Sequence, residues 1–198
     1  MNPPQQLCNA NGNEIFIYDA LADNINGVMY SDLSGRFPVE LYWGRQYIFI
    51  AYIYYENVIL MQTMKNRTDI CRVLVFKDVY DCLKERKCKP KLNIMDNECS
   101  KAVQTFIKEQ EVPIQIVEPG NHHVYAAEMG VKTGKYHLIF SLATVTKSSP
   151  LQLWFQYIPQ IKMTLNMLKT CRQDPTISSY EALNGSFDYN KTPLSPIG

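Results

Sequence analysis

The sequence is short of several things, and each shortage removes a class of protein. Its 20 Lys and Arg residues are matched by 19 Asp and Glu for a net charge of +1. It therefore lacks the overall basic excess of a stand-alone DNA-binding module, and any nucleic-acid contact has to come from a local patch. The six cysteines, at 8, 71, 82, 88, 99 and 171, form no CxxC pair, and the opening MNPPQQLCNANGNE has no basic stretch followed by an apolar one. Reduced thiols in an intracellular protein are the expectation. Asn-x-Ser/Thr triplets at 66, 184 and 190 are then chance matches. The longest strongly apolar run, Tyr47 to Tyr55, is nine residues, against the roughly 20 that a helix needs to cross a bilayer. No membrane span is expected, and no internal repeat is visible.

What is present suits one core. The chain has 198 residues, 46% of them hydrophobic, enough for a single domain with tails. GVMYSD (27–32), FPVELYW (37–43), QYIFIAYIYY (46–55) and NVILMQTM (57–64) are β-branched and aromatic runs, which predict a strand followed by an antiparallel meander. Thr68 and Asp69 open a helical pattern that carries Val73, Phe76, Val79, Tyr80 and Leu83. KLNIM (91–95), a helix capped by Ser100 and IQIV (114–117) then predict two parallel strands with a crossover. Two amphipathic helices follow, one from Val124 to about Val145 and one from Leu151 to Leu168 that Pro159 should kink. The second presents a seam through Trp154, Ile158 and Leu165, for which buried core is the expectation and a dimer surface the alternative. Residues 1–24 read as a lead-in, 25–171 as the core and 172–198, rich in Pro, Asn and Ser, as an extended tail. The sum is an α/β protein with a mixed five-stranded sheet, three strands antiparallel and then two parallel, covered by helices.

Three acids stand where these elements would aim them at one place. Asp32 closes GVMYSD, Asp96 closes KLNIMD, and Glu128 lies in the first turns of a long helix. Hard oxygen ligands of this kind suit Mg²⁺, and two such ions about 3.5–4 Å apart activate a nucleophile and stabilise a leaving oxygen. Acids at strand ends are more often solvated or capping. Lys132 and Lys135 follow Glu128 by four and seven residues on the same helical flank, where they would meet a phosphate held by metals or form an ordinary Glu–Lys pair. The basic run Lys84, Arg86, Lys87, Lys89, Lys91 fits either a DNA contact or a helix C-terminus attracting cations.

YSDLSGRFPVELYWGRQ, KPKLNIMDNECSKAVQ, NHHVYAAEMGVKTGKYH, LQLWFQYIPQIKM and FDYNKTPLSPIG, in that order, resemble the integrase catalytic core of long-terminal-repeat retrotransposons. The resemblance spans roughly residues 28 to 198, its most specific pieces being IMDNE (94–98), YAAEM (125–129) and TPLSPIG (192–198). It implies an RNase H-like fold and an Asp-Asp-Glu triad at Asp32, Asp96 and Glu128 holding two Mg²⁺ or Mn²⁺ ions. The 32 positions between Asp96 and Glu128 are slightly fewer than the family's usual gap, a loop-length difference. It further implies 3′-end processing and strand transfer on double-stranded DNA, with Lys132, Lys135, His122 and His123 as DNA contacts, action as a homo-oligomer, and location in the nucleus. No zinc-like spacing joins the two histidines to Cys82, Cys88 or Cys99. Two departures stand out. Neither a flanking His-His-Cys-Cys zinc domain nor a basic carboxy-terminal domain is recognisable, and Met129, Gly130 and Gly134 replace the Arg, Ala and bulky residue usual in this helix. Each glycine should cost the helix about 1 kcal/mol and Gly134 should leave a gap in its apolar stripe, as in a drifting, catalytically inactive copy.

Overall fold

Where the chain runs β-branched and aromatic it is in strands. The computed structural model describes residues 6–8, 14–16, 27–36, 44–96, 99–117, 125–145 and 150–193, without the side chains of the first two segments or of 96, 125–128, 131 and 151. In chain order the elements are β1 (Gln6–Cys8), β2 (Glu14–Phe16), β3 (Val28–Leu33), β4 (Tyr47–Ile53), β5 (Val58–Met64), α1 (Asp69–Glu85), β6 (Leu92–Asp96), α2 (Lys101–Glu109), β7 (Ile114–Val117), α3 (Tyr125–Thr144), α4 (Trp154–Leu168) and α5 (Ser179–Asn184). β1 and β2 pair as a ribbon of their own within the expected lead-in. The expected strand FPVELYW lies outside the described residues.

β3 to β7 form one sheet in the order β5-β4-β3-β6-β7. β3, β4 and β5 are antiparallel and β3, β6 and β7 parallel, as the run of strands followed by strand-helix-strand units predicts. Strand alternation then divides the apolar residues between two cores. Met29, Phe49, Ala51, Ile53 and Leu60 pack on α1 and α2 through Phe76, Val79, Leu83, Val103 and Ile107. Ile48, Ile50, Tyr52, Ile59 and Met61 pack on α3 and α4 through Leu138, Trp154, Ile158, Ile161 and Leu165. A sheet buried on both faces explains why β4 and β5 read as unbroken apolar runs. Each large side chain so buried contributes about 1.5–3 kcal/mol. The seam of α4 is therefore core, and the helix runs unbroken through Pro159.

Capping follows the sequence only in part. Ser100 Oγ accepts the Val103 amide at 3.4 Å, as a cap should. Thr68 holds the N-cap position of α1, but its hydroxyl donates to Asn66 Oδ1 at 2.6 Å instead. The edge strand β5 is closed from an unforeseen direction. Buried Asn166 of α4 accepts from Ile59 N and donates to Ile59 O, both at 2.8 Å, so one side chain serves both outward-facing backbone groups of that residue.

The segment after 171 is not the extended tail that its composition suggested. Ser178 Oγ accepts the Glu181 amide at 3.1 Å and starts α5, Ser179 and Leu183 are buried, and Arg86 Nε donates to Asn184 Oδ1 at 2.7 Å. Arg172 lies over the Tyr54 ring and donates to Tyr52 Oη at 2.8 Å. Prolines and polar residues set this stretch in turns while a single capped turn delivers Leu183 to the core. TPLSPIG falls outside the described residues from position 194 on.

The two glycines of α3 are close-approach positions. A Cβ at buried Gly130 would lie 2.6 Å from Tyr52 Cγ, and one at Gly134 would lie 2.8 Å from Met61 Cε and 3.3 Å from Ile59 Cγ2. Bulk that the helix lacks is supplied by the sheet, so the expected gap in the stripe is filled. The expectation that Gly134 leaves a gap is thereby corrected.

Candidate functional site

Asp32 lies at the carboxy-terminal end of β3, on the face that carries Tyr30 and, across the ladder, Ile50 and Tyr52. Its side chain is 45% exposed. Oδ1 accepts the Leu33 amide at 2.7 Å and Oδ2 faces Lys135 Nζ at 3.4 Å. The parallel register sets Ser31 beside Met95. Carried one residue further, it sets position 32 beside position 96 at the last residue of β6, so the fold brings the two aspartate positions together. Parallel strands converge here, where open sheets ordinarily offer their binding crevice.

Glu128 belongs to the first turn of α3, and its side chain lies outside the described ones. Seven residues are two helical turns less about 20°, so Glu128 and Lys135 share one flank of the helix. Gly130 and Gly134, turned to the sheet, let α3 lie low on β4 and β5. That seating brings its flank within reach of Asp32. Helical side chains lean toward the amino terminus, so an ammonium on Asp32 falls on the Glu128 side of Lys135. Lys132 is exposed one turn earlier. His122 and His123 lie outside the described residues.

The basic run is elsewhere. Lys91 N bonds Gly27 O, just before the start of β3, about 17 Å from Asp32 at the rise of a β-strand. Lys89 there pairs with Glu111 at 3.1 Å. Cys82, Cys88 and Cys99 carry free thiols. Burial pushes the Cys88 thiol up to about 11 and also raises Cys99, against the pull of Arg72, so both are protonated and inert at neutral pH.

Beneath Asp32, on the α1–α2 face, is a cavity of about 70 Å³ bordered by Ser31, Phe49, Arg72, Phe76, Met95 and Cys99. Pockets that enclose a small ligand are about 300–1,000 Å³. This cavity is too small to enclose such a ligand. Among the described residues no three His, Cys, Asp or Glu side chains are gathered for a metal, those of Asp96 and Glu128 standing outside that set. Of the three acid positions only Asp32 has a described side chain, a half-exposed carboxylate whose Oδ2 faces the Lys135 ammonium.

No protein-family model matches the chain, and no curated protein matches it in sequence. Solved structures do. A chain of the simian T-cell lymphotropic virus intasome, in complex with PP2A regulatory subunit B56 gamma, superposes with a TM-score of 0.62 at 15% identity, over 87% of this chain and 57% of that one. The HTLV-2 integrase catalytic core domain in complex with magnesium, in its trimeric form, gives a TM-score of 0.59 at 14% identity, over 80% of this chain and 97% of that one. The catalytic core domain of BIV integrase gives 0.56 at 11%, over 80% and 93%. The fold is that of an integrase catalytic core. This integrase-core fold is RNase H-like, with the five-stranded mixed sheet and helices that the sequence order predicts. The chain spans 57% of the intasome chain it matches.

Sequence reasoning found the strand ends, the helix and the lysines. It missed the direct Lys135–Asp32 contact, whose only signal was the seven-residue spacing from Glu128. The Gly130–Tyr52 seating that makes the contact possible requires knowing which strand α3 covers.

Proposed function

We propose that this chain is the catalytic core of a long-terminal-repeat retrotransposon integrase, a metal-dependent polynucleotidyl transferase that processes the 3′ ends of the element's DNA and joins them to target DNA. The observation that supports the reading is the parallel register pairing Ser31 with Met95, the residues just before positions 32 and 96, together with the Lys135 ammonium of α3 facing Asp32 at 3.4 Å. Asp32, Asp96 and Glu128 would hold Mg²⁺ or Mn²⁺, which supplies Lewis-acid stabilisation of charge on the attacked phosphate. Lys132 and Lys135 bind the phosphates flanking the scissile bond, and His122 and His123, which precede α3 in the sequence, contact the DNA end. The half-open site admits a duplex where a closed pocket would not. Double-stranded DNA, further copies of this chain and a nuclear location belong to the same reading. The integrase cores with magnesium, in trimeric and dimeric forms, support the metal and the assembly.

The test is incubation of the purified chain with duplexes carrying the element's terminal repeats and Mg²⁺ or Mn²⁺. Nicking near the 3′ end, joining, or reversal of preformed joins is expected, and Asp96→Asn reduces each to background. If no such reaction occurs and Asp96→Asn changes nothing, the alternative stands: an inactive relic that keeps the fold and serves for DNA binding or oligomerisation.

A further inference from the structure

Asp32 carries a charge that the sheet does not bury. One oxygen is occupied by the Leu33 amide, and the other by Lys135 across 3.4 Å, with the two side chains 45% and 34% exposed. A pair this open is loose, and shifts an equilibrium by no more than about fivefold. Lys135 reaches Asp32 on a flexible four-carbon stem from α3, so its ammonium swings without moving the helix. The ammonium and a divalent cation compete for one carboxylate, since like charges a few ångströms apart repel.

We propose that Lys135 is an exchangeable counter-ion, which neutralises Asp32 until a divalent cation takes that place and then turns its ammonium to a DNA phosphate. This rests on the reading of Asp32 as a metal ligand and adds a coupling to it. Lys135 opposes metal binding in the absence of DNA and favours DNA binding once metal is present. Metal and DNA therefore strengthen each other's binding by the same factor. A lysine that merely buttressed the fold would produce no such reciprocity.

The experiment uses the whole chain. Mn²⁺ binding is followed calorimetrically, and binding of a fluorescein-labelled duplex by anisotropy, with and without Mn²⁺. Lys135→Met, which keeps the stem and removes the charge, should bind Mn²⁺ about two- to fivefold tighter than the parent, and the gain in DNA affinity conferred by Mn²⁺ should shrink by a similar factor. Lys135→Gln serves as a second neutral variant, and Lys135→Arg should behave as the parent. Mn²⁺ binding that is no tighter in both neutral variants, or an undiminished Mn²⁺-dependent gain in DNA affinity, overturns the proposal while leaving the metal site intact. Failure of the parent chain to bind Mn²⁺ overturns the metal-site reading and this proposal together.

Discussion

Gly130 and Gly134 look alike in the sequence, yet their neighbours separate them. The atom facing Gly130 is the root of the Tyr52 ring, whereas the atom nearest Gly134 is the terminal methyl of Met61. A ring root withdraws only if the whole buried Tyr52 ring turns about χ1 and gives up its hydroxyl bonds to Asn57 and Arg172, while a methionine end bends aside. Gly130→Ala should therefore destabilise by about 1–3 kcal/mol. Gly134→Ala gains about 1 kcal/mol of helix propensity against a small repacking cost and should come out near neutral. Chemical denaturation of both variants decides it, and equal losses would contradict the packing described for α3. At this scale the sequence revealed residue types and withheld their partners. Asp32, Asp96 and Glu128 could be singled out because they close or open recognisable elements, but nothing in the chain announces that Lys135 rests on Asp32 or that Tyr52 fills the space above Gly130.

Elements were more legible. β3 to β7, α1 and α2 appear within a residue or two of their expected bounds, because period-two and helical spacing survive in short windows and Ser100 is a true cap. α5 stayed hidden because six residues show too little periodicity, and its burial depends on α4 and β5 being nearby. Asn166 was hidden for a related reason. A polar residue in an apolar seam has no meaning until the edge of β5 is placed against it. Replacing Asn166 by Leu leaves the amide and carbonyl of Ile59 buried without partners. It should cost about 2–6 kcal/mol, each orphaned group being worth about 1–3. Thermal or urea unfolding checks this, and a stable Asn166→Leu protein would show that water reaches the β5 edge.

For the molecule as a whole, partly buried titratable groups set a pH dependence. Burial and then the Arg172 guanidinium pull Lys169 down to about 8, although its ammonium lies 4.9 Å over the Tyr52 ring, a placement that favours the cation. The unfolded chain, with lysine near its usual 10.4, binds more protons between these values, so stability should rise as pH increases from about 8 to about 10.4. Lys169→Met should raise the melting temperature at pH 7 and flatten that rise. His137, lowered by burial and with its Nε2 unpartnered among the described residues, adds the same sign near its ordinary range, so stability falls as pH drops below about 6.5. Melting curves across pH 5 to 10 measure both. Whole-molecule topology was readable because the order of strands and helices admits few right-handed arrangements. The site was readable only as three positions, since its geometry depends on how low α3 lies on the sheet.

That seating has a historical side. If Met61 occupies the room that a side chain at 134 would need, the two positions cannot change independently. A descendant that gains alanine or a larger residue at 134 has to trim residue 61, and one that trims residue 61 opens a void that selection would refill from 134. Relatives of this chain that keep the fold should then carry paired substitutions at 61 and 134. Relatives no longer under selection for the fold should show the two positions varying without regard to one another, so sequence divergence alone would separate maintained sequences from abandoned ones.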